Sequence, residues 1–113
     1  MSLVDKYALL PDEIDRESLK LVETCLPGSL SLSPAQRYVV CRIVRAEGDP
    51  QIATAVKFSP GAVESGVEAL RSGAEVISDV RMVEVGISKS LLASLRVGTR
   101  CLIDSPKVAR RAR

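Results

Sequence analysis

A chain of 113 residues has room for one hydrophobic core, and a domain of this size buries about two-thirds of the surface its unfolded chain exposes. With 46% apolar and only 3% aromatic residues that core is aliphatic, which suits a buried parallel sheet and leaves Tyr7, Tyr38 and Phe58 as too few platforms for stacking single-stranded nucleic acid. A net charge of +2, no histidine, three scattered cysteines and no apolar run near the ~20 residues of a membrane span argue against polyanion, zinc, disulfide and membrane roles, so a soluble cytoplasmic protein with reduced thiols is expected.

Residues 1–11, with Tyr7, Leu9, Leu10 and Pro11, form an apolar but aperiodic lead-in, expected to lie across a neighbouring surface. From Asp12 the pattern turns helical: Ile14, Ser18, Leu19, Val22, Cys25 and Leu26 recur at three and four, and acidic residues crowd the first turn. This helix is expected to end near Cys25, before Pro27-Gly28. Gly28 to Ser33 is a loop. Ser33-Pro34-Ala35-Gln36 then reads as a capping box opening a second helix to about Glu47, stopped by Gly48. Val39, Val40, Ile43 and Val44 form its packing face. Arg37, Arg42 and Arg45 line the remainder, as either a solvated basic face or a carboxylate-binding surface. Gln51 to Phe58 reads equally as a strand or a short helical turn.

The stretch from Lys57 to Ile87 carries the most information. Ser59 is a good N-cap, Pro60 fits the first helical position and Gly73 supplies a left-handed stop, which predicts a helix from Pro60 to about Ser72. Val63, Val67 and Leu70 make one stripe of it, expected to pack on something flat. Val76 and Ile77 are a short β-branched core running into Ser78 and Asp79, a βα junction. Ligands of open α/β sheets bind beyond the carboxyl ends of strands, which singles out Asp79, Arg81 and Met82, although Asp79 also reads as a helix cap.

A short helical turn over Met82–Gly86 follows, then a helix capped by Ser88 with Leu91, Leu92 and Leu95, and a second strand over Arg100–Ile103. Asp104-Ser105-Pro106 opens a last helix whose Arg110, Arg111 and Arg113 are more simply a dipole-favoured end than a nucleic-acid contact. The fold class is α/β, a short parallel sheet flanked by helices, in one domain over residues 1–113 without an internal boundary.

The run F-S-P-G-A-V-E-x-G-x-E-A-L-x-x-G-A from Phe58, followed by D-V-R-M-V and G-I, resembles the precorrin-8X methylmutase (precorrin isomerase) family of cobalamin biosynthesis. Arg42 to Asp49 upstream and Arg100 to Asp104 downstream extend the resemblance over nearly the whole chain, as the N-terminal half of a family chain almost twice as long. It implies the N-terminal half of the precorrin isomerase fold, as a single truncated domain. The implied reaction is an intramolecular methyl shift turning precorrin-8X into hydrogenobyrinic acid, without metal or organic cofactor.

The implied ligand is a flat tetrapyrrole with carboxylates around its rim. Arg42, Ser59, Asp79, Arg81, Met82 and Gly86 are the substrate-binding residues the resemblance points to, with Lys89, Arg96 and Arg100 as further cations and the free N–H groups after Ser59-Pro60 as a carboxylate seat. Arg45 stands where the family carries its catalytic histidine. Arginine stays protonated at ordinary pH, so it holds a carboxylate but does not readily hand over a proton. Two readings follow: a methylmutase, or a non-catalytic relative that binds a tetrapyrrole or completes another subunit. The family's glycine-rich G-N-A-P-T segment is absent, and an open sheet edge with apolar helix faces predicts association. The partner would be a second copy, with the N-terminal arm at the dimer contact, or a chain supplying the other half.

Overall fold

The computed structural model describes residues 10–113, so the apolar lead-in through Leu9 and its dimer-contact role lie outside the described residues. The chain divides into two compact units, Met1–Pro60 and Gly61–Arg113.

The first unit is built on two helices, α1 (Pro11–Cys25) and α2 (Pro34–Glu47), followed by a 3₁₀ turn at Pro50–Thr54. Pro11 occupies the first position of α1, and the Glu13 carboxylate accepts the Leu10 N–H at 2.8 Å. The capping box of α2 forms as the sequence implies: Ser33 Oγ accepts the Gln36 N–H at 3.2 Å and Gln36 Oε1 accepts the Ser33 N–H at 3.0 Å. Gly48 ends α2 at φ 76°, where a side chain would be strained. Residues 56–58 belong to no helix or strand, and the start of the segment that the sequence left open, residues 51–54, is decided by Asp49. Its carboxylate accepts the Gln51 N–H at 2.9 Å and Pro50 fits the first turn, so the chain coils rather than extends. Val40, Val44 and Ala53 are the buried centre of this unit, covered by Val22, Leu26 and Phe58 among others. Removing such aliphatic surface from water is its main stabilisation, about 1.5–3 kcal/mol for each fully buried valine or leucine.

The second unit contains α3 (Ala62–Arg71), β1 (Val76–Ser78), α4 (Arg81–Gly86), α5 (Lys89–Leu95), β2 (Thr99–Cys101) and α6 (Pro106–Arg111). The two strands pair in parallel, Val76 with Thr99, Ile77 with Arg100 and Ser78 with Cys101, and α4 packs against both. The crossover that parallel pairing demands is filled by α4 and α5. Val97 and Cys101 are the buried residues of this unit. The α/β class and the short parallel sheet flanked by helices are as expected.

Three expectations are corrected. Ser59 is not a helix cap: α3 begins at Ala62, and its N-cap is Gly61 at φ 72°, ψ 11°. Those angles fit the third position of a type II turn with proline second, so Ser59-Pro60-Gly61-Ala62 turns before the helix starts. At the far end Gly73 behaves as expected. At φ 80° its N–H reaches Leu70 O (3.1 Å) and the Ala74 N–H reaches Ala69 O (2.9 Å), the paired bonds of a Schellman ending.

The second strand stops at Cys101, because Leu102 and Ile103 belong to a turn closed by the Ser105 N–H on Leu102 O (3.0 Å) ahead of α6. The apolar stripe of α3 is also incompletely covered. Val63 and Leu70 are half-buried while Val67 remains 41% exposed.

Candidate functional site

Each unit gathers one cluster of the side chains singled out above. In the first unit α1 lies along α2 and brings acids to its basic face. Asp15 receives two guanidinium groups. Arg42 Nη1 lies 3.2 Å from Asp15 Oδ1 and its Nη2 3.0 Å from Oδ2, a two-pronged grip, while Arg45 pairs with the same Oδ1. Arg42 Nη2 also donates to the Tyr38 hydroxyl at 2.9 Å, and its guanidinium carbon sits 5.4 Å from the Tyr38 ring centre.

One turn along, Arg37 Nη1 lies 3.1 Å from Glu23 Oε1, and the Cys41 thiol donates to Glu23 Oε2 at 3.1 Å. Burial pushes the Cys41 thiol up to about 11, reinforced by the carboxylate it faces. The basic face of α2 is therefore a row of ion pairs with α1, not a bare solvated stripe.

Arg45 has a second environment. With Val22, Cys25, Val44, Gly48 and Pro50 it lines a largely apolar concavity of about 230 Å³. A more polar cleft of about 310 Å³ is lined by Gln36, Thr54, Lys57 and Phe58 among others, and exposed Ser59 follows Phe58 directly in the chain.

In the second unit the cluster lies at the carboxyl ends of the parallel strands. Arg81, the first residue of α4, places Nη2 2.7 Å from Asp104 Oδ1 and Nη1 3.1 Å from Glu84 Oε2. Glu84 Oε1 in turn accepts the Thr99 hydroxyl at 3.2 Å. The Asp104 hydrogen bond, then that of Glu84, raises the Arg81 pKa further above its ordinary value, so the guanidinium is always charged.

Asp79 is exposed in the bend after β1, and it does not cap α4, whose N-cap is Val80 with no side-chain bond. Met82 is 80% exposed and Gly86 closes α4, so Asp79, Arg81, Met82 and Gly86 sit on one short helix and its entry. Among the additional cations Arg100 is paired with Glu75 (Nε to Oε1 2.5 Å), and Arg96 is the left-handed residue ending α5.

Several partners escaped the sequence reading, Glu23 and Glu75 among them. Glu84 and Asp104 were not singled out, although Asp104 follows its strand much as Asp79 follows β1, a signal that was there to use. Asp15 gave no such signal, because it is one of several acids in the first turns of α1.

Chemically, guanidinium groups bind carboxylates, here those of the chain itself, and apolar concavities accept apolar groups. Among the described residues there is no group of three His, Cys, Asp or Glu placed to hold a metal ion, and no helix long and apolar enough to cross a membrane.

The chain matches the model of the family described as "Precorrin-8X methylmutase" over residues 13–113, a match that runs through both units. It is 35% identical over 97 residues to the cobalt-precorrin-8 methylmutase of Methanothermobacter thermautotrophicus, covering 85% of this chain and 43% of that one. Against the cobalt-precorrin-8 methylmutase of Salmonella typhimurium it is 28% identical over 110 residues, 94% of this chain and 52% of the relative. Its fold superposes on the crystal structure of the precorrin-8X methyl mutase from Thermus thermophilus with a TM-score of 0.80 at 32% identity, over 88% of this chain and 48% of the other. The chain thus spans about half the length of the relatives it matches. A family match over nearly all described residues, joined to the same fold at 32% identity, places the chain in the precorrin-8X methylmutase family.

Proposed function

We propose that this chain acts in cobalamin biosynthesis as a precorrin-8X methylmutase-like protein whose ligand is a tetrapyrrole, precorrin-8X or its rearranged product hydrogenobyrinic acid. The observation that carries the reading is the family match spanning residues 13–113. The reaction is an isomerisation: one carbon–methyl bond breaks, another forms at the neighbouring carbon, and no atom is gained or lost. Most of what such a step asks of a protein is positioning of a flat macrocycle in a slot that holds its rim carboxylates.

Arg42 and Arg45 in the first unit and Arg81 in the second supply carboxylate-binding groups, with Ser59, Asp79, Met82 and Gly86 as the remaining contacts. Arg45 stands at the position of the family's proton donor and takes the role of a fixed cation, stabilising negative charge on the ring or its substituents. Turnover by this chain is accordingly slower than with histidine there, since a positioned general acid typically contributes ~10²–10⁴-fold. The protein works in the cytoplasm and associates, with a second copy or with a chain that supplies the remainder of the fold, and residues 1–113 serve as one functional domain.

The test is an absorbance titration of the purified chain with hydrogenobyrinic acid beside a turnover assay on precorrin-8X. Saturable binding with turnover establishes the reading, and binding without turnover makes the chain a tetrapyrrole carrier or an incomplete subunit. Failure to bind either compound, alone or in the associated form, overturns it.

A further inference from the structure

Two guanidinium groups on one helix converge on a single carboxylate. Arg42 takes both oxygens of Asp15 at 3.2 and 3.0 Å, and Arg45 takes Oδ1 as well. Cations brought this close repel one another, and a carboxylate between them offsets that repulsion.

What fixes Arg42 does not depend on Asp15 alone. The Tyr38 hydroxyl, 2.9 Å from Nη2, and the Tyr38 ring beneath the guanidinium hold it from its own helix. Arg42 therefore keeps its place if Asp15 swings away. All three side chains are within reach of solvent, Arg42 at 44%, Arg45 at 36% and Asp15 at 32% exposure, so a ligand carboxylate has a path to the same point. Arg45 also borders the apolar concavity floored by Val22, Val44 and Pro50, which places a charged edge beside an apolar floor. A ligand with an apolar body and peripheral carboxylates matches that juxtaposition.

We propose that Arg42, Arg45 and Tyr38 form a carboxylate cradle that Asp15 fills from within, so that Asp15 is an internal competitor displaced when a ligand carboxylate seats over the adjoining apolar pocket. The identity of that ligand as a tetrapyrrole rests on the function proposed above; the cradle and its competitor do not. The contact makes the site selective, because a ligand must offer a carboxylate able to replace a bidentate aspartate, and a neutral analogue leaves Asp15 in place.

The probe is mellitate, a flat ring bearing only rim carboxylates, titrated into the full chain and into Asp15→Asn and Glu17→Gln variants. Glu17 lies on the same helix, paired with Lys20, so its variant removes the same charge away from the cradle. Asp15→Asn is expected to tighten mellitate by about 10-fold, as loss of a charge-assisted competitor should, and Glu17→Gln to leave it nearly unchanged. Equal effects of the two variants would overturn the proposal and reduce Asp15 to a helix staple.

Should Asp15→Asn fail to fold, the unmodified chain decides. Saturating mellitate must shift the Arg42 and Arg45 side-chain N–H resonances together with the Asp15 carboxyl carbon, and their standing still counts equally against the cradle. Hydrogenobyrinic acid run alongside separates the two ideas. If it binds no variant while mellitate shows the Asp15 effect, the cradle stands and the tetrapyrrole reading falls.

Discussion

The thiol of Cys41 donates a hydrogen bond to Glu23 Oε2 at 3.1 Å across the α1–α2 contact, while Arg37 holds the other oxygen of the same carboxylate. Cys41 is 3% exposed and its pKa is raised to about 11, first by burial and then by its carboxylate partner. Because the folded pKa lies above the ordinary thiol value of 9.0, the folded state binds the proton more tightly than the unfolded chain. That stability is complete below about pH 9 and is lost as pH climbs towards about 11, up to roughly 3 kcal/mol in all. Urea unfolding at about pH 8 and about pH 10 should show about half of this loss in the natural chain, and a smaller change in Cys41→Ala. Equal losses in both would remove Cys41 as the cause.

Two left-handed residues in the second unit predict opposite outcomes. Gly73 sits at φ 80° and Arg96 at φ 55°, each where a helix ends, and the α5 ending is closed by the Val97 N–H on Leu92 O at 2.9 Å. Gly73→Ala should cost about 1 kcal/mol, because a Cβ disfavours that backbone region. Arg96→Gly should raise stability by up to about 1 kcal/mol for the same reason. Thermal melts of the two variants check the signs, and matching shifts would refute the assignment.

Replacing Arg45 by histidine tests the role given to that position. An imidazole titrates near working pH and donates a proton that a guanidinium retains. If the chain positions its substrate, Arg45→His should raise precorrin-8X turnover by ~10²–10⁴-fold over the natural chain. An unchanged rate, with binding intact, would show that proton transfer is not what limits this protein.

The second unit exposes Ile77, Met82, Val83, Val85, Leu91 and Ile103 together with an open two-stranded sheet. Exposed apolar side chains beside an open sheet edge favour association. The chain should therefore run above monomer mass in light scattering at micromolar concentration. A purely monomeric profile would rule out self-association and leave a complementing chain as the remaining partner.

Much of the fold was legible from residues a few positions apart. Ser33 with Gln36, and Gly48 and Gly73 with the carbonyls behind them, are signals whose donor and acceptor lie within one turn, so spacing alone identifies them. Gln51–Phe58 is open in the sequence because its alanines, threonine and valine favour neither state, while the Asp49 cap that starts the turn lies just before the segment. Ser59 misled because Pro-Gly supports two local structures, a helix start and a type II turn, and the left-handed Gly61 took the second.

The candidate site divides along the same line. By itself the sequence determined the family, the α/β class, the basic row of α2 and the Asp79–Gly86 segment after β1, since each is written in local spacing or in an unbroken motif. Only the tertiary structure decided that Asp15 closes Arg42 and Arg45, that Glu23 holds Cys41 and Arg37, and that Asp104 holds Arg81. Those partners are far apart along the chain, and which acid meets which arginine depends on how α1 seats on α2 and on where β2 ends. Helical periodicity places a charge on a face; only packing of the apolar sides beneath, Val40 and Val44 against Val22 and Leu26, brings the opposing carboxylate within reach.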